Sequence, residues 1–413
     1  MAKLLYAWEF GANLGHIGAF LPLGKALREQ GHEVSWAVTE TAPAARLLSP
    51  EGFTWLQAPR IAELSRPGPP QSYADILLRF GYSYGGDLLG LVVAWRELLR
   101  LSGTELMLAD HSPTAVLAAR TMGIPVMLFS NGFTVPPRRR PLPVMRPWAP
   151  LPEGQLLALE DAALGSINAV LQHFDQPPLP ALATLFDVTE EALITYPELD
   201  HYEDRGPARY WGSLPAAPTG LEPPWPVPSR DVQGTVDQGT LAGKKIFVYL
   251  RPEIPLAEGA LKALHDLGVP AVVYCPGLHE QARLAWQAPH LVFVDSPVNL
   301  HRAAAEADVA VTYSSLATTT AFLLAGKPLL LLPSHLEQFL LARRVDAMGA
   351  GIAVNPEQAP PDFVALLKAL LSTPAFTDNA RAFAAKYANF NQDAVIANLV
   401  RRVGELCDAK EMP

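Results

Sequence analysis

Two doubly wound α/β domains joined by a proline-rich linker are what this sequence predicts, and three observations predict them. Strand-like apolar runs alternate with amphipathic stretches in the first half, the same rhythm restarts after the middle, and a proline cluster separates the two. The length of 413 residues exceeds one typical core and suits two domains of about 200 residues each.

The first domain, residues 1–214, opens on a buried strand over 3–8. A helix over 16–30 follows, with Ile17, Leu21, Leu23, Ala26 and Leu27 on one side and Gly31 as its stop. A second strand covers 33–38. Residues 104–109 form a strand running into Asp110, a helix spans 113–122, and another strand covers 124–129. Of the 40 prolines, clusters fall at 67–70, 136–150 and 215–228. The last has linker chemistry, with fixed backbone angles and few amide donors, so 215–235 is the expected boundary. The second domain, 236–378, restarts with a strand at 245–250, a helix at 256–267, and strands at 271–274, 291–294 and 309–311. A helix at 316–325 and a strand at 329–332 complete it, and residues 379–413 read as helices. Two such sheets predict a cleft at the carboxyl ends of their strands.

Composition narrows the function. Hydrophobic residues make up 49% and charged residues 18%, a globular balance. A net charge of -9 argues against a general nucleic-acid binder, so an anionic substrate must be held by local donors and helix ends. Two cysteines, Cys275 and Cys407, fit a reduced compartment and give no metal cluster. The apolar run before Glu9 is too short for a signal-peptide core and no stretch approaches a spanning helix, so a cytoplasmic location is expected.

The chemistry concentrates in Gly11-Ala12-Asn13-Leu14-Gly15-His16, between the first strand and the first helix. The glycines permit a tight turn and close approach of a ligand. His16 then stands at a helix N-terminus, whose positive end disfavours a protonated imidazole and leaves a base able to take a hydroxyl proton. Asp110 ends a strand of the same sheet and would orient that ring; His111 competes for either role. Taken alone, His16 is equally a surface residue at a helix start, and Asp110 the cap of the next helix.

Three longer segments carry a resemblance. GHIGAFLPLGKALREQGHEV (15–34), LADHSPTAVLAARTMGIP (108–125) and DVAVTYSSLATTTAFLLAGKPLLLLPSHLEQFLLARRVDAMGAGIAV (308–354) resemble, in order, three anchor segments of UDP-glycosyltransferase-like enzymes. The resemblance spans both halves. It implies the GT-B architecture, two Rossmann-like domains facing across a cleft, with 379–413 crossing back to the N-terminal domain. It further implies inverting, metal-independent sugar transfer from a nucleotide-sugar co-substrate to a small-molecule or lipid acceptor, with His16 as base and Asp110 as its partner. The donor diphosphate would lie over Tyr313, Ser314, Ser315 and Thr318, and Glu337 and Gln338 would meet the donor sugar.

Departures from the family pattern bear on the donor. Tyr313-Ser314-Ser315 replaces a histidine followed by glycines, and Ala321 replaces a ribose-binding glutamate. Arg251-Pro252 replaces a Gly/Ser/Thr turn; Arg251 would supply phosphate contacts, or else pair with Glu253. A UDP-sugar is the first expectation, with dTDP- and GDP-sugars as alternatives. On the acceptor side, 60–87 and 133–152 read as long loops whose Tyr73, Phe80, Tyr82, Tyr84 and Phe133 either line an acceptor wall or pin the loops to the core. Arg138, Arg139, Arg140 and Arg146 read as a solvated basic face, with peripheral membrane contact as the alternative. Two other functions remain in view. One is a catalytically degenerate nucleotide-sugar-binding homologue. The other is a nicotinamide or flavin enzyme, suggested by Gly11, Gly15, Gly18 and Glu40 but with the wrong glycine spacing.

Overall fold

The computed structural model describes residues 1–11, 15–215, 219–226 and 241–409. The chain divides into two units: residues 1–196, 202–214 and 393–413 form the first, and residues 197–201 and 215–392 the second.

In the first unit the elements run β1 (Lys3–Trp8), α1 (Gly15–Glu29), β2 (Glu33–Val38), α2 (Thr41–Leu47), β3 (Thr54–Gln57), α3 (Tyr73–Arg79) and α4 (Gly85–Leu101). They continue through β4 (Leu106–Asp110), α5 (Pro113–Met122), β5 (Val126–Ser130), α6 (Glu153–His173) and β6 (Glu190–Leu193). Every strand pair is parallel, in the order β3-β2-β1-β4-β5-β6. Strand order therefore reverses between β1 and β4, which lie side by side with Trp8 opposite Asp110. Ligands of open parallel sheets bind outside the carboxyl ends at such a reversal.

α1 buries Ile17, Phe20, Leu23, Gly24 and Leu27. Phe20 and Gly24 thus replace the expected Leu21 and Ala26 on its inner face. Aromatic packing explains the rotation: Phe20 stacks on Tyr6 with centroids 4.1 Å apart, and Gly24 lets the Trp36 ring approach to within 3.0 Å of where a β-carbon would stand.

The second unit contains β7 (Ile246–Tyr249), α7 (Ala257–Leu267), β8 (Ala271–Tyr274), α8 (Glu280–Ala285), β9 (Leu291–Val294), α9 (Leu300–Glu306) and β10 (Val309–Thr312). It continues through α10 (Leu316–Leu324), β11 (Leu329–Leu331), α11 (Leu336–Ala347), β12 (Gly351–Ala353), α12 (Phe363–Ser372) and α13 (Pro374–Lys386). Its sheet, again all parallel, has the order β12-β11-β10-β7-β8-β9, reversing between β7 and β10.

Two boundaries differ from expectation. Within the expected linker 215–235, residues 216–218 and 227–235 lie outside the described residues, but the intervening stretch is docked on the second unit. Leu221 bridges to Val298, and Trp225 Nε1 donates to Glu306 at 2.7 Å. The return to the first unit begins at Asp393 instead of 379, because α13 packs with the second unit. The last helix, α14 (Ala394–Asp408), lays Val395, Leu399, Val403 and Leu406 into the core behind α1.

The expected loop 60–87 contains α3 and the start of α4. Every α3 residue is buried, including Asp75 and Arg79. Arg66 Nε pairs with Asp75 at 3.2 Å, and Arg79 donates to the Gly68 carbonyl at 2.7 Å, which makes that burial affordable.

Because Leu399 is fully buried between α14 and the first core, Leu399→Ala should cost about 2–5 kcal/mol, measured by urea denaturation. A loss within experimental error would mean that α14 does not belong to that core.

Candidate active site

The first constellation stands at the β1/β4 reversal. After Trp8 the chain rises through Glu9, Phe10 and Gly11; residues 12–14 of the glycine loop lie outside the described residues, and α1 opens with Gly15 and His16. His16 Nδ1 lies 2.7 Å from Asp110 Oδ2, with side-chain exposures of 19% and 10%. Opposite an ionised Asp110, Nδ1 carries the proton, and the lone pair that can accept another sits on Nε2.

Three neighbours fix this pair. The imidazole stacks on the Trp8 indole, centroids 4.7 Å apart and planes 20° apart. Beneath it, the Tyr6 hydroxyl lies 2.8 Å from Asp110 Oδ2 and 3.1 Å from the His16 carbonyl, so its proton is shared between them. Burial, and then the charge of Asp110, hold the Tyr6 phenol well above its ordinary pKa, so it serves only as a donor. Gly11 has φ +93°, and a β-carbon there would come within 3.0 Å of His16 Nε2. A side chain at position 11 would both strain the backbone and crowd the accepting nitrogen.

His111, the expected competitor, occupies a different surrounding. Its ring is flanked by Phe10, Tyr73 and Phe133, at centroid distances of 5.3, 6.0 and 6.1 Å. Of the residues expected to bind an acceptor, Tyr84 is 66% exposed, whereas Tyr82 is fully buried and Phe133 is buried. Tyr82 is a core residue and not a wall residue: its hydroxyl bonds Thr114 Oγ1 at 3.1 Å. Tyr73 is likewise buried, so these rings pin their loops. The basic face is largely neutralised. Arg138 pairs with Asp187 at 2.8 Å and Glu191 at 3.1 Å, Arg140 pairs with Asp161 at 2.6 Å, and Arg146 is buried against Trp148.

Sequence reasoning passed over Glu9. Only 3% exposed, it accepts the Thr114 amide at the start of α5 on Oε2, 3.0 Å away, while Oε1 is buried without a hydrogen-bond partner among the described residues. Burial pushes its carboxyl up to about 8. A lone acid closing an apolar strand was the available signal.

The second constellation stands at the β7/β10 reversal. Ser314 follows β10 with φ +66°, its hydroxyl buried and unpartnered among the described residues. Ser315 is the N-cap of α10, yet its side chain donates to Thr318 Oγ1 at 3.0 Å instead of capping the helix, so it leaves the first amides uncapped. Thr318 is buried, while Tyr313 and Ser315 are half-buried. Arg251, just beyond β7, holds its guanidinium carbon 5.7 Å from the Tyr313 ring centre and makes no ion pair among the described residues, Glu253 included. Glu337 and Gln338 open α11 at the carboxyl end of β11. The Gln338 side-chain oxygen is committed to Ser334, accepting its amide at 2.9 Å and its hydroxyl at 3.0 Å, which leaves the NH2 group as its donor. All the expected donor residues therefore share the carboxyl edge of one sheet.

Among the described residues no group of side chains is arranged to hold a metal ion, and no helix is long and apolar enough to cross a membrane.

No protein-family model matches the chain. It is 25% identical over 324 residues to a PGL/p-HBAD biosynthesis glycosyltransferase of Mycobacterium tuberculosis, covering 73% of this chain and 72% of that protein. Among solved structures, the spinosyn rhamnosyltransferase SpnG matches with a TM-score of 0.64 and 16% identity over 97% of this chain and 100% of its own. SsfS6, a glycosyltransferase of Streptomyces sp. SF2575, matches with a TM-score of 0.63 and 20% identity over 97% of this chain and 99% of its own. SpnG has been solved with thymidine diphosphate and with spinosyn aglycone, and SsfS6 with thymidine diphosphate.

The raised Glu9 carboxyl has a defined sign. Its contribution to stability is fully present below the unfolded value of 4.5 and is lost as pH rises through about 8. Glu9→Gln should therefore melt progressively higher than the native protein as pH is raised from about 5 to about 9. A melting-temperature difference independent of pH would show that Glu9 is not buried as an acid.

Proposed function

We propose that this chain, a glycosyltransferase of the GT-B fold, transfers a sugar from a nucleoside diphosphate to an acceptor hydroxyl with inversion, using His16 as general base and Asp110 as its orienting partner. The observation that carries this reading is the 2.7 Å contact between His16 Nδ1 and Asp110 at the sheet reversal.

In the reaction, the acceptor hydroxyl gives its proton to His16 Nε2 while its oxygen attacks the anomeric carbon. The bond from that carbon to the diphosphate oxygen breaks, and the diphosphate leaves with the electron pair. Asp110, ionised and bonded to Nδ1–H, stabilises the imidazolium that forms. Charge growing on the diphosphate is met by the uncapped amides and positive end of α10, by the Tyr313 hydroxyl, by the Ser315 hydroxyl once its proton turns from Thr318 to the ligand, and by Arg251. Glu337 and the donor end of Gln338 address sugar hydroxyls. Tyr84, the exposed member of the aromatic set, contacts the acceptor.

Inversion follows from one displacement at the anomeric carbon, for which a single base suffices. A UDP-sugar is the donor implied by the sequence resemblance. The relatives solved with thymidine diphosphate support a thymidine diphosphate sugar instead.

His16→Ala should lower kcat by about 10²–10⁴-fold while leaving nucleoside diphosphate affinity within about twofold, since the two constellations belong to different units. Asp110→Asn should lose activity to a similar extent through the wrong tautomer. Turnover undiminished in His16→Ala would remove the base, and nucleotide binding without turnover in the native protein would favour the degenerate homologue. In a thermal-shift series, thymidine diphosphate should raise the melting temperature more than UDP or GDP. A larger rise with UDP would restore the UDP-sugar as donor.

A further inference from the structure

The amino ends of the second sheet carry a cluster for which the transfer reaction has no use. Lys244 precedes β7, Asp308 precedes β10, and Lys327 lies between α10 and β11. Thr377 and Arg381, one turn apart on α13, complete the lining of a cavity of about 170 Å³. The expected donor residues all lie at the opposite, carboxyl ends of these strands. Four residues of strand separate the two edges by about 13 Å, so this cavity is not a corner of the donor site.

The charges in the cavity do not balance. Three cationic side chains, Lys244, Lys327 and Arg381, line it with one carboxylate, Asp308. That carboxylate is already engaged: Oδ1 holds Lys244 Nζ at 3.1 Å and Oδ2 accepts the Lys245 amide at 2.9 Å. Among the described residues Arg381 pairs only with Asp378 of its own helix, at 4.0 Å, and its stem lies over Gly326, where a β-carbon would come within 3.0 Å of Arg381 Cγ. Gly326 has φ +69°, so the backbone turns in a way that leaves room for that stem. The Lys327 amide bonds the Phe322 carbonyl at 2.9 Å, but its ammonium makes no hydrogen bond or ion pair among the described residues. Burial pushes its ammonium below the ordinary lysine value, Asp308 counters this, and Arg381 and Lys244 lower it further.

Like charges gathered in a concavity repel one another more than the same charges spread over a convex surface, because the low-dielectric walls concentrate their field. An oxyanion removes that repulsion and supplies acceptors for donors that have none. Ammonium groups from two directions, a guanidinium and the Thr377 hydroxyl match an oxyanion with acceptors on several sides. We propose that this cavity binds a phosphate group, as the free ion or as a monoester, at a site separate from the donor turn. The proposal is independent of the transferase mechanism, since it uses none of its residues.

Thermal melting of the full chain in inorganic phosphate, against chloride at equal ionic strength, tests it. At about 10 mM phosphate the native protein should melt about 2 °C or more above the chloride control. Lys327→Met should abolish that increment, and Arg251→Met, altered at the donor edge, should keep it. Should Lys327→Met fail to melt cooperatively in chloride, Arg381→Gln replaces it, since that side chain is 71% exposed and its stem is retained in part by glutamine. Glycerol phosphate, run in parallel, separates the two sources. An equal increment identifies a monoester site, an increment with inorganic phosphate alone identifies a free-ion site, and either supports the proposal. Three results overturn it: no increment over chloride in the native protein, an increment that survives loss of Lys327 or Arg381, or one that disappears in Arg251→Met.

Discussion

The hydrogen bond between His16 and Asp110 requires two backbone segments, 94 residues apart in sequence, to hold their positions within a few tenths of an ångström. The sheet supplies that accuracy. Parallel pairing sets Trp8 opposite Asp110, so the strand carrying the carboxylate ends beside the strand that leads into the histidine loop. Tyr6, two residues earlier on the same face of β1, reaches Asp110 from below, and Trp8 supports the imidazole from the side. A second tie joins the same segments, because the Phe10 amide donates to the His111 carbonyl at 3.0 Å. On the outer side of α1, α14 buries four apolar residues and fixes the helix from which His16 projects. A histidine of this kind is positioned by the core and not by its loop.

Much of this was legible in the residues, and the parts that were not share a physical cause. Buried strands announced themselves as apolar runs: β1, β2, β4, β7, β8, β9 and β10 fall where the sequence put them, within one or two residues. β3 did not, because Thr54–Gln57 is an edge strand with no fully buried residue and hence no pattern. β6 hid behind Glu190 and Glu191, whose charges are answered far along the chain by Arg402 and Arg138. Similarly, α3 looked like loop because Asp75 and Arg79 interrupt it, and only the folded chain shows their partners. The His16–Asp110 pair was readable because each residue ends a legible strand or opens a legible helix. Glu9 was not, since a buried acid is recognisable only once its surroundings are known. Tyr82 misled for the opposite reason: an aromatic in a glycine-flanked stretch has no periodicity to say which way it points.

The two sheets solve different electrostatic problems with the same topology. Each reverses strand order once, and the segments that follow the carboxyl ends there carry the two constellations. At the first reversal the chain installs a carboxylate and an imidazole, and surrounds them with Tyr6 and Trp8, so a proton can be taken up against a fixed negative partner. At the second it installs hydroxyls, an uncapped helix start and an arginine, with the nearest carboxylate not paired to that arginine. A chain with a net charge of -9 has an overall field that repels anions, so an anion at the second edge would depend on these local donors.

Of the three non-glycine residues with positive φ among the described residues, Asp175 follows α6 and the other two stand at these same two places. His111 has φ +44° and directly follows Asp110; Ser314 has φ +66° and follows the end of β10 by two residues. A left-handed conformation costs a residue with a β-carbon about 1–2 kcal/mol, and glycine at either position would relieve it. The sequence uses glycine for many other left-handed turns, including Gly11, Gly123 and Gly326. Side chains at 111 and 314 therefore perform tasks that glycine cannot. At 111 the ring fills the space between Phe10, Tyr73 and Phe133 and so braces the turn that carries Asp110. At 314 the hydroxyl is held where no protein atom among the described residues accepts or donates to it, immediately before the helix start that would receive a diphosphate. Strain at the first turn is offset by packing. At the second the residue is packed as closely, but its hydroxyl has no hydrogen-bond partner among the described residues, and a ligand oxygen is the partner that would supply one.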